Sequence, residues 1–374
     1  MIYKLKDVFD LQMGKTPSRN KLHYWGGQNK WISIADIGNA SKYIERTKES
    51  ISDTAVAESG IKIVPKGTVI MSFKLSIGKT AITTEDMFTN EAIMAFIDKG
   101  VCPLDIDYFY HFCCGKDWLS GTNKAVMGLT LNKATLSEIT ISIPDIASQR
   151  KIAAQLDKID ELIAIRQTEL ELLSELVKSR FIEMFGDPVS NDKGWPHQAM
   201  DKVAPSSACS GDSSERVWLL NLDMVEAQTG RIIDYLYVDK AEVGTSTCCF
   251  DEGNVLYSKL RPYLNKVVVP TKKGYCTTEL VPLRPNVKLN RQFLAFLLRS
   301  DSFVSFINEK VAGAKMPRVS MNVFREFECI LPPIDLQDEF ATFVEQVDKS
   351  KFEIQQSLEK LEILKKSLMQ QYFG

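Results

Sequence analysis

Lysine and arginine are the residues of this chain whose types and placement could do chemistry, and that chemistry is the holding of polyanions. Between Lys259 and Arg318 stand twelve of them (Lys259, Arg261, Lys266, Lys272, Lys273, Arg284, Lys288, Arg291, Arg299, Lys310, Lys315 and Arg318) against only Glu279, Asp301 and Glu309. A surplus of about nine positive charges is a phosphate-sized footprint. A smaller acid-free window from Lys15 to Lys30 adds Arg19 and Lys21, with Tyr24 and Trp25 behind them. The candidate nucleic-acid contacts are therefore Lys15, Thr16, Ser18, Arg19, Lys21, Lys74 and Lys79 in the first half of the chain. Lys259, Arg261, Tyr263, Lys266, Lys315 and Arg318 are their counterparts in the second. Arginine can read guanine bidentately, whereas lysine more often holds phosphate. The competing reading is a solvated charged face, and the net charge of −2 rules out a uniformly basic coat.

Catalytic patterns are missing from the sequence. A methyltransferase acting on a base amino group needs an Asn/Asp-Pro-Pro-Tyr/Phe loop, and the single Pro-Pro here is in Leu331-Pro-Pro-Ile334. Ser76-Ile-Gly-Lys-Thr80 resembles the end of a phosphate-binding loop, but Phe73 stands where the first glycine is required. His23, His111 and His197 have no metal spacing, and no Ser or Cys sits in a nucleophile motif. The eight cysteines, with adjacent pairs Cys113-Cys114 and Cys248-Cys249, show no CxxC and are expected to be reduced and mostly buried. No apolar run is long enough to span a bilayer and no signal-peptide pattern follows Met1, which predicts a cytoplasmic protein. Trp31 and Trp218 are expected in the core rather than stacked on bases.

The elements that must position these residues are written twice. Ile143-Pro-Asp-Ile-Ala-Ser-Gln149 is answered by Leu331-Pro-Pro-Ile-Asp-Leu-Gln337 at a shift of 188, which then holds without a gap to Phe185-Gly186 and Phe373-Gly374. Fourteen of the forty-four pairs are identical, far beyond chance. Upstream the match is looser. Trp31–Asp36 faces Trp218–Asp223, Gly67–Ser72 faces Gly253–Ser258, Lys79 faces Lys266 and Glu91 faces Glu279. Four segments follow: globular parts at 1–145 and 187–333, and helices at 146–186 and 334–374. The globular parts read as mixed α and β, with strands in Trp31–Ile34, Gly67–Ser72, Val217–Leu222 and Val267–Pro270 and helices around Asp107–Phe112 and Arg291–Leu298.

In the first long helix Ile152, Leu156, Ile159, Ile163, Arg166, Leu170, Leu173, Val177, Arg180 and Met184 keep a 4-3 alternation. The second repeats it with Phe340, Val344, Val347, Lys351, Ile354, Leu358, Leu361, Lys365, Leu368 and Tyr372. A stripe this narrow favours a two-helix coiled coil over helices packed separately on their own domains. Arg166, Arg180, Lys351 and Lys365 interrupt it, either as buried register devices or by snorkelling to the edge. About 38 residues at 1.5 Å each make a rod of roughly 55–60 Å, on the order of one and a half turns of DNA. Two similar halves in one chain pair most simply about a local two-fold axis, which makes the helices antiparallel and suits two half-sites.

Several segments resemble the specificity subunits of type I restriction-modification systems. They are Tyr3-Lys-Leu-Lys-Asp-Val-Phe9, Gly14-Lys-Thr-Pro-Ser18, Val64-Pro-Lys-Gly-Thr-Val69, Ser76-Ile-Gly-Lys79, Gly253-Asn-Val-Leu-Tyr-Ser-Lys-Leu-Arg-Pro-Tyr263, the Pro-x-x-x-x-Gln starts of both helices and Ser367-Leu-Met-Gln-Gln-Tyr-Phe373. The resemblance covers the whole chain twice over. It implies an α+β protein with two pseudo-symmetric α/β target-recognition domains, each followed by a long spacer helix, the helices pairing as an antiparallel coiled coil. It also implies a non-catalytic subunit that reads a bipartite, asymmetric DNA target. The implied partners are two methylation subunits and, in a restricting complex, translocase-nuclease subunits. S-adenosylmethionine, ATP and Mg would belong to those partners, with no cofactor or metal on this chain. The alternative is a coiled-coil scaffold that does not bind DNA.

Overall fold

The two heptad stripes fold as unbroken 40-residue helices, Ile146–Phe185 and Ile334–Phe373, in a computed structural model that describes residues 1–74, 76–118, 131–211, 214–311 and 317–374. All twenty stripe positions are buried or half-buried. The chain divides into two units, Met1–Gln167 with Gln356–Gly374, and Thr168–Gln355, so each long helix contributes to both.

In the first unit the strands are β1 (Ile2–Lys4), β2 (Phe9–Met13), β3 (Trp25–Ile32), β4 (Tyr43–Ile44), β5 (Glu49–Ile51), β6 (Val69–Ser72), β7 (Thr80–Thr83), β8 (Phe88–Thr89), β9 (Ile93–Asp98) and β10 (Thr140–Ser142). They form sheets of order β2-β9-β6-β7-β4, β5-β3-β8 and β1-β10. β6 and β7 are buried at every position, which explains their continuous Val-Ile-Met and Ala-Ile runs without alternation. The sequence reading carried β3 too far. Ile34 opens a short helix because Ser33 caps it, its hydroxyl accepting from the Asp36 amide at 3.4 Å while Asp36 takes the Ser33 amide at 2.8 Å.

The second unit repeats this plan with β11 (His197–Ala199), β12 (Arg216–Leu220), β13 (Leu236–Asp239), β14 (Thr247–Phe250), β15 (Val255–Ser258), β16 (Val267–Val268), β17 (Gly274–Thr277), β18 (Leu280–Leu283) and β19 (Glu328–Ile330). β3 and β8 pair in parallel, as do β12 and β17. β6 pairs antiparallel with β7 and β9, as β15 does with β16 and β18. Trp31 and Trp218 are both buried, each in its own core.

The duplicated glutamine explains the duplicated motif. Gln149, fully buried, accepts from the Asp105 amide at 2.8 Å and donates to the carbonyls of Pro103 and Pro144 at 3.0 and 2.9 Å. Gln337 does the same with the Asn290 amide at 2.9 Å and the carbonyls of Lys288 and Pro332 at 3.1 and 2.8 Å. Asp105 and Asn290 are the caps of helices Ile106–Gly115 and Arg291–Arg299. Each glutamine thus ties the start of a long helix to the start of a domain helix.

Within the first unit the long helices run antiparallel. Gln155 meets Tyr372 at 3.0 Å and Asp160 meets Lys365 at 2.5 Å, so rising numbers on one helix match falling numbers on the other. In the second unit Arg180 bonds both Glu183 at 2.9 Å and Glu339 at 3.2 Å. Arg180 and Lys365 therefore reach the seam's edge, as snorkelling predicts, yet find a carboxylate on the other helix there. Burial pushes the Lys351 ammonium below its usual range beside Asp348.

The first helix is also tied to its domain by charge. His111, fully buried, faces Asp157 through Nε2 at 2.8 Å, and Lys42 bridges Asp157 at 2.7 Å and Asp107 at 2.8 Å. Nδ1 of His111 is buried without a partner, so a proton there has no acceptor. Burial, only partly offset by Asp157, holds the imidazole below its ordinary value of 6.5. The unfolded chain then binds this proton more readily than the folded one. The stabilisation is complete above pH ~6.5 and is lost as pH falls toward the lower folded value. Thermal unfolding of the first unit should therefore move to lower temperature between pH 7 and pH 5. His111→Gln should start lower at pH 7 but fall less steeply, and an equally steep fall would exclude His111 as the cause.

The cysteine expectation is corrected in two respects. Cys209 and Cys249 are joined in a disulfide, because the segment beyond Pro205 runs beside β14 with the Cys209 amide donating to the Cys249 carbonyl at 3.1 Å. Of the others, Cys113, Cys276 and Cys329 are buried, Cys102 and Cys248 half-buried and Cys114 exposed. No helix among the described residues is long and apolar enough to cross a membrane.

Candidate nucleic-acid interface

In the first unit Lys15, Thr16, Arg19 and Lys21 are satisfied from within. Lys15 donates to the Ser59 carbonyl and Thr16 to the Glu91 carboxylate. Arg19 forks onto Glu49, with the second bond at 2.9 Å, and lies 3.7 Å above the Trp25 ring. Its bond to Glu49 raises the guanidinium further and holds the carboxyl below its ordinary range. Lys21 bonds Tyr24 at 2.6 Å and Glu58 at 3.2 Å. Ser18 is exposed and accepts the Trp25 indole N–H on its carbonyl at 3.2 Å. The carboxylates that neutralise this group come from 30–75 residues away, beyond reach of a window search.

Lys74 and Lys79 flank a different loop. Lys74 is half-buried with its ammonium 5.2 Å from the Phe73 ring. Lys79 is exposed and lies over Gly38, where an added Cβ would stand 2.6 Å from Nζ. Its counterpart Lys266 serves as a strut. Its ammonium donates to the Leu222 carbonyl at 2.8 Å, and burial lowers its proton affinity.

The basic run of the second unit is not one patch. Arg284 pairs with Asp251 and Arg318 with Glu279, both at 2.8 Å. The Arg299 head group is sealed inside, where it donates to the Val267 carbonyl, and burial lowers it to about 10. Lys272 sits over the Trp218, Tyr235 and Tyr237 rings at 4.5–5.2 Å. Lys315 lies outside the described residues.

Lys259, Arg261 and Tyr263 are presented differently, on a loop whose backbone is fixed from several sides. The Lys259 amide donates to Glu279 at 3.0 Å, its carbonyl takes the Val319 amide at 2.9 Å, and the Arg261 amide donates to Pro317 at 2.8 Å. Gln228 donates to the Tyr263 carbonyl at 2.9 Å. Arg261 has φ 50° and ψ 64° immediately before buried Pro262. A left-handed backbone costs a residue bearing Cβ about 1–2 kcal/mol, and the residue before proline is pushed toward extended geometry as well. Arg261 and Tyr263 are exposed, Lys259 is half-buried, and none of the three side chains has a polar partner among the described residues.

A duplicated α/β domain, each copy tied to a long helix, is the architecture of type I specificity subunits. The chain belongs to the family described as type I restriction modification DNA specificity domain, which it matches over residues 1–175 and 227–365. It is 24% identical to the type I restriction enzyme MjaIX specificity subunit of Methanocaldococcus jannaschii, over 92% of this chain and 85% of that one. To the EcoDI specificity subunit of Escherichia coli it is 22% identical, over 58% of this chain and 56% of that one. Its fold is shared by a solved chain from a study of complex assembly and conformational transition of the type I R-M system, with TM-score 0.64, 15% identity and coverage of 100% and 97%. The type I S subunit from M. genitalium is similar at TM-score 0.58 and 14% identity, with coverage of 100% and 96%.

Proposed function

We propose that this chain reads a bipartite, asymmetric DNA target, one half-site per domain, without catalysing any reaction itself. The observation that carries the reading is the duplicated domain plan joined to a duplicated, antiparallel helix seam. The Lys15–Lys21 group of one domain is internally bonded whereas Lys259, Arg261 and Tyr263 of the other have no polar side-chain partner among the described residues, so the halves share a scaffold and differ where they meet solvent. The second domain is the stronger phosphate binder on this account.

Two methylation subunits dock on the helices. The helices carry large exposed apolar residues, including Leu172 and Leu176 on the first and Phe352 and Ile363 on the second, a pattern that marks protein contact. Translocase-nuclease subunits join in a restricting complex. S-adenosylmethionine, ATP and Mg are bound by those partners and not by this chain. The assembly works in the cytoplasm.

Sequencing methylated bases in cells with and without this chain tests the reading. A two-part motif with an unread gap should vanish when the chain is absent, and footprinting of the complex should protect two short blocks. One continuous protected site, or affinity without a steep negative salt slope, would instead support the non-DNA scaffold.

A further inference from the structure

We infer that the Lys259–Tyr263 loop is a preformed grip for the DNA backbone, and that Arg261 binds a phosphate rather than a base edge. The inference rests on the DNA-binding reading above. A surface arginine that served only solubility would need no special backbone. Arg261 instead holds a left-handed conformation ahead of proline, fixed by amide and carbonyl bonds from Glu279, Val319, Pro317 and Gln228. Unfavourable backbone geometry persists where surrounding structure imposes it, and it concentrates at functional positions.

The chemistry of the loop selects the ligand. Lys259 and Arg261 offer only N–H donors, and Tyr263 adds a hydroxyl. The adjacent carboxylate, Glu279, takes Arg318 on Oε1 at 2.8 Å, and its Oε2 is buried away from solvent. These donors match phosphate oxygens; among base edges they match the acceptor-only edge of guanine, which the test of base discrimination below separates from phosphate.

The duplicated scaffold points the same way. The Ser258 amide donates to the Lys266 carbonyl at 3.0 Å, and the Ser72 amide donates to the Lys79 carbonyl at 2.9 Å. The residue before each lysine has positive φ, Asn265 at 51° and Gly78 at 90°. Two domains that read different bases share this hairpin closure. A shared feature serves the contact common to both half-sites, which is the backbone.

The test measures affinity of the complex containing this chain for its target duplex and for a scrambled duplex, across a salt series. Arg261→Ala should weaken both by a similar factor, roughly eightfold near 0.1 M salt, and reduce the slope of log K against log salt by about one. The methylated motif should keep the same bases. Arg261→Gly separates binding from folding, because glycine accepts the left-handed backbone. It should lose affinity equally while its melting temperature stays within a few degrees of wild type. Loss of discrimination at one base position would show base reading and overturn the inference, as would unchanged affinity in both variants. If the unmodified complex fails to protect a two-part site, the DNA-binding reading fails instead.

Discussion

Phe340→Ala is expected to destabilise the second unit by roughly 3–5 kcal/mol, the range for emptying a buried aromatic site. Phe340 is fully buried, with ring centroids of Phe181 and Phe185 at 5.5 Å and Phe296 at 5.2 Å. Those neighbours come from the other long helix and from helix Arg291–Arg299. One truncation therefore opens helix-to-helix and helix-to-domain packing together. For a unit of this size the midpoint should drop on the order of 10 °C. Ile152, at the matched position of the first helix, is only half-buried. Ile152→Ala should accordingly cost less, and scanning calorimetry of both variants compares them directly. A drop for Phe340→Ala no larger than for Ile152→Ala would mean that the ring cluster is not what holds the seam.

Removing one heptad from each long helix, 166–172 and 354–360, should alter target spacing while leaving base identity alone. Seven residues correspond to about 10 Å of helix, equivalent to at most about three base pairs. The altered complex should methylate a motif with the same two half-sites and a shorter unread gap. Its affinity for the original target should fall by a factor on the order of 10³ or more, toward nonspecific binding. Changed bases within either half-site would refute the helix as a ruler.

The helices were legible in the sequence because a 4-3 alternation lasting forty residues is a local signal that needs no knowledge of partners. Sheet order was not legible, since β3 pairs with β8 and β12 with β17 across more than fifty residues. The basic run from Lys259 to Arg318 was visible as composition, but composition cannot distinguish Arg299, sealed inside, from Arg261, exposed on a braced loop. Nor could it show that Glu49 and Glu58 neutralise Arg19 and Lys21, or that Glu91 accepts the Thr16 hydroxyl. The disulfide was missed because it joins residues 40 apart with no motif between them. Gln149 and Gln337 were visible as a repeat, yet their meaning lay in main-chain atoms of residues that no pattern marks.

Those two glutamines have a consequence for how such a chain can change. Each joins its helix to its domain through carbonyl and amide groups of the main chain, which every amino acid except proline supplies in full. The glutamine's share of the joint is therefore indifferent to the side chains of the domain it holds. A recombination event with breakpoints just after Gly186 and just inside Pro332 could install a recognition domain of unrelated sequence on the second helix. If its helix cap lay in the same place, the glutamine joint to the existing helix would re-form through main-chain atoms alone.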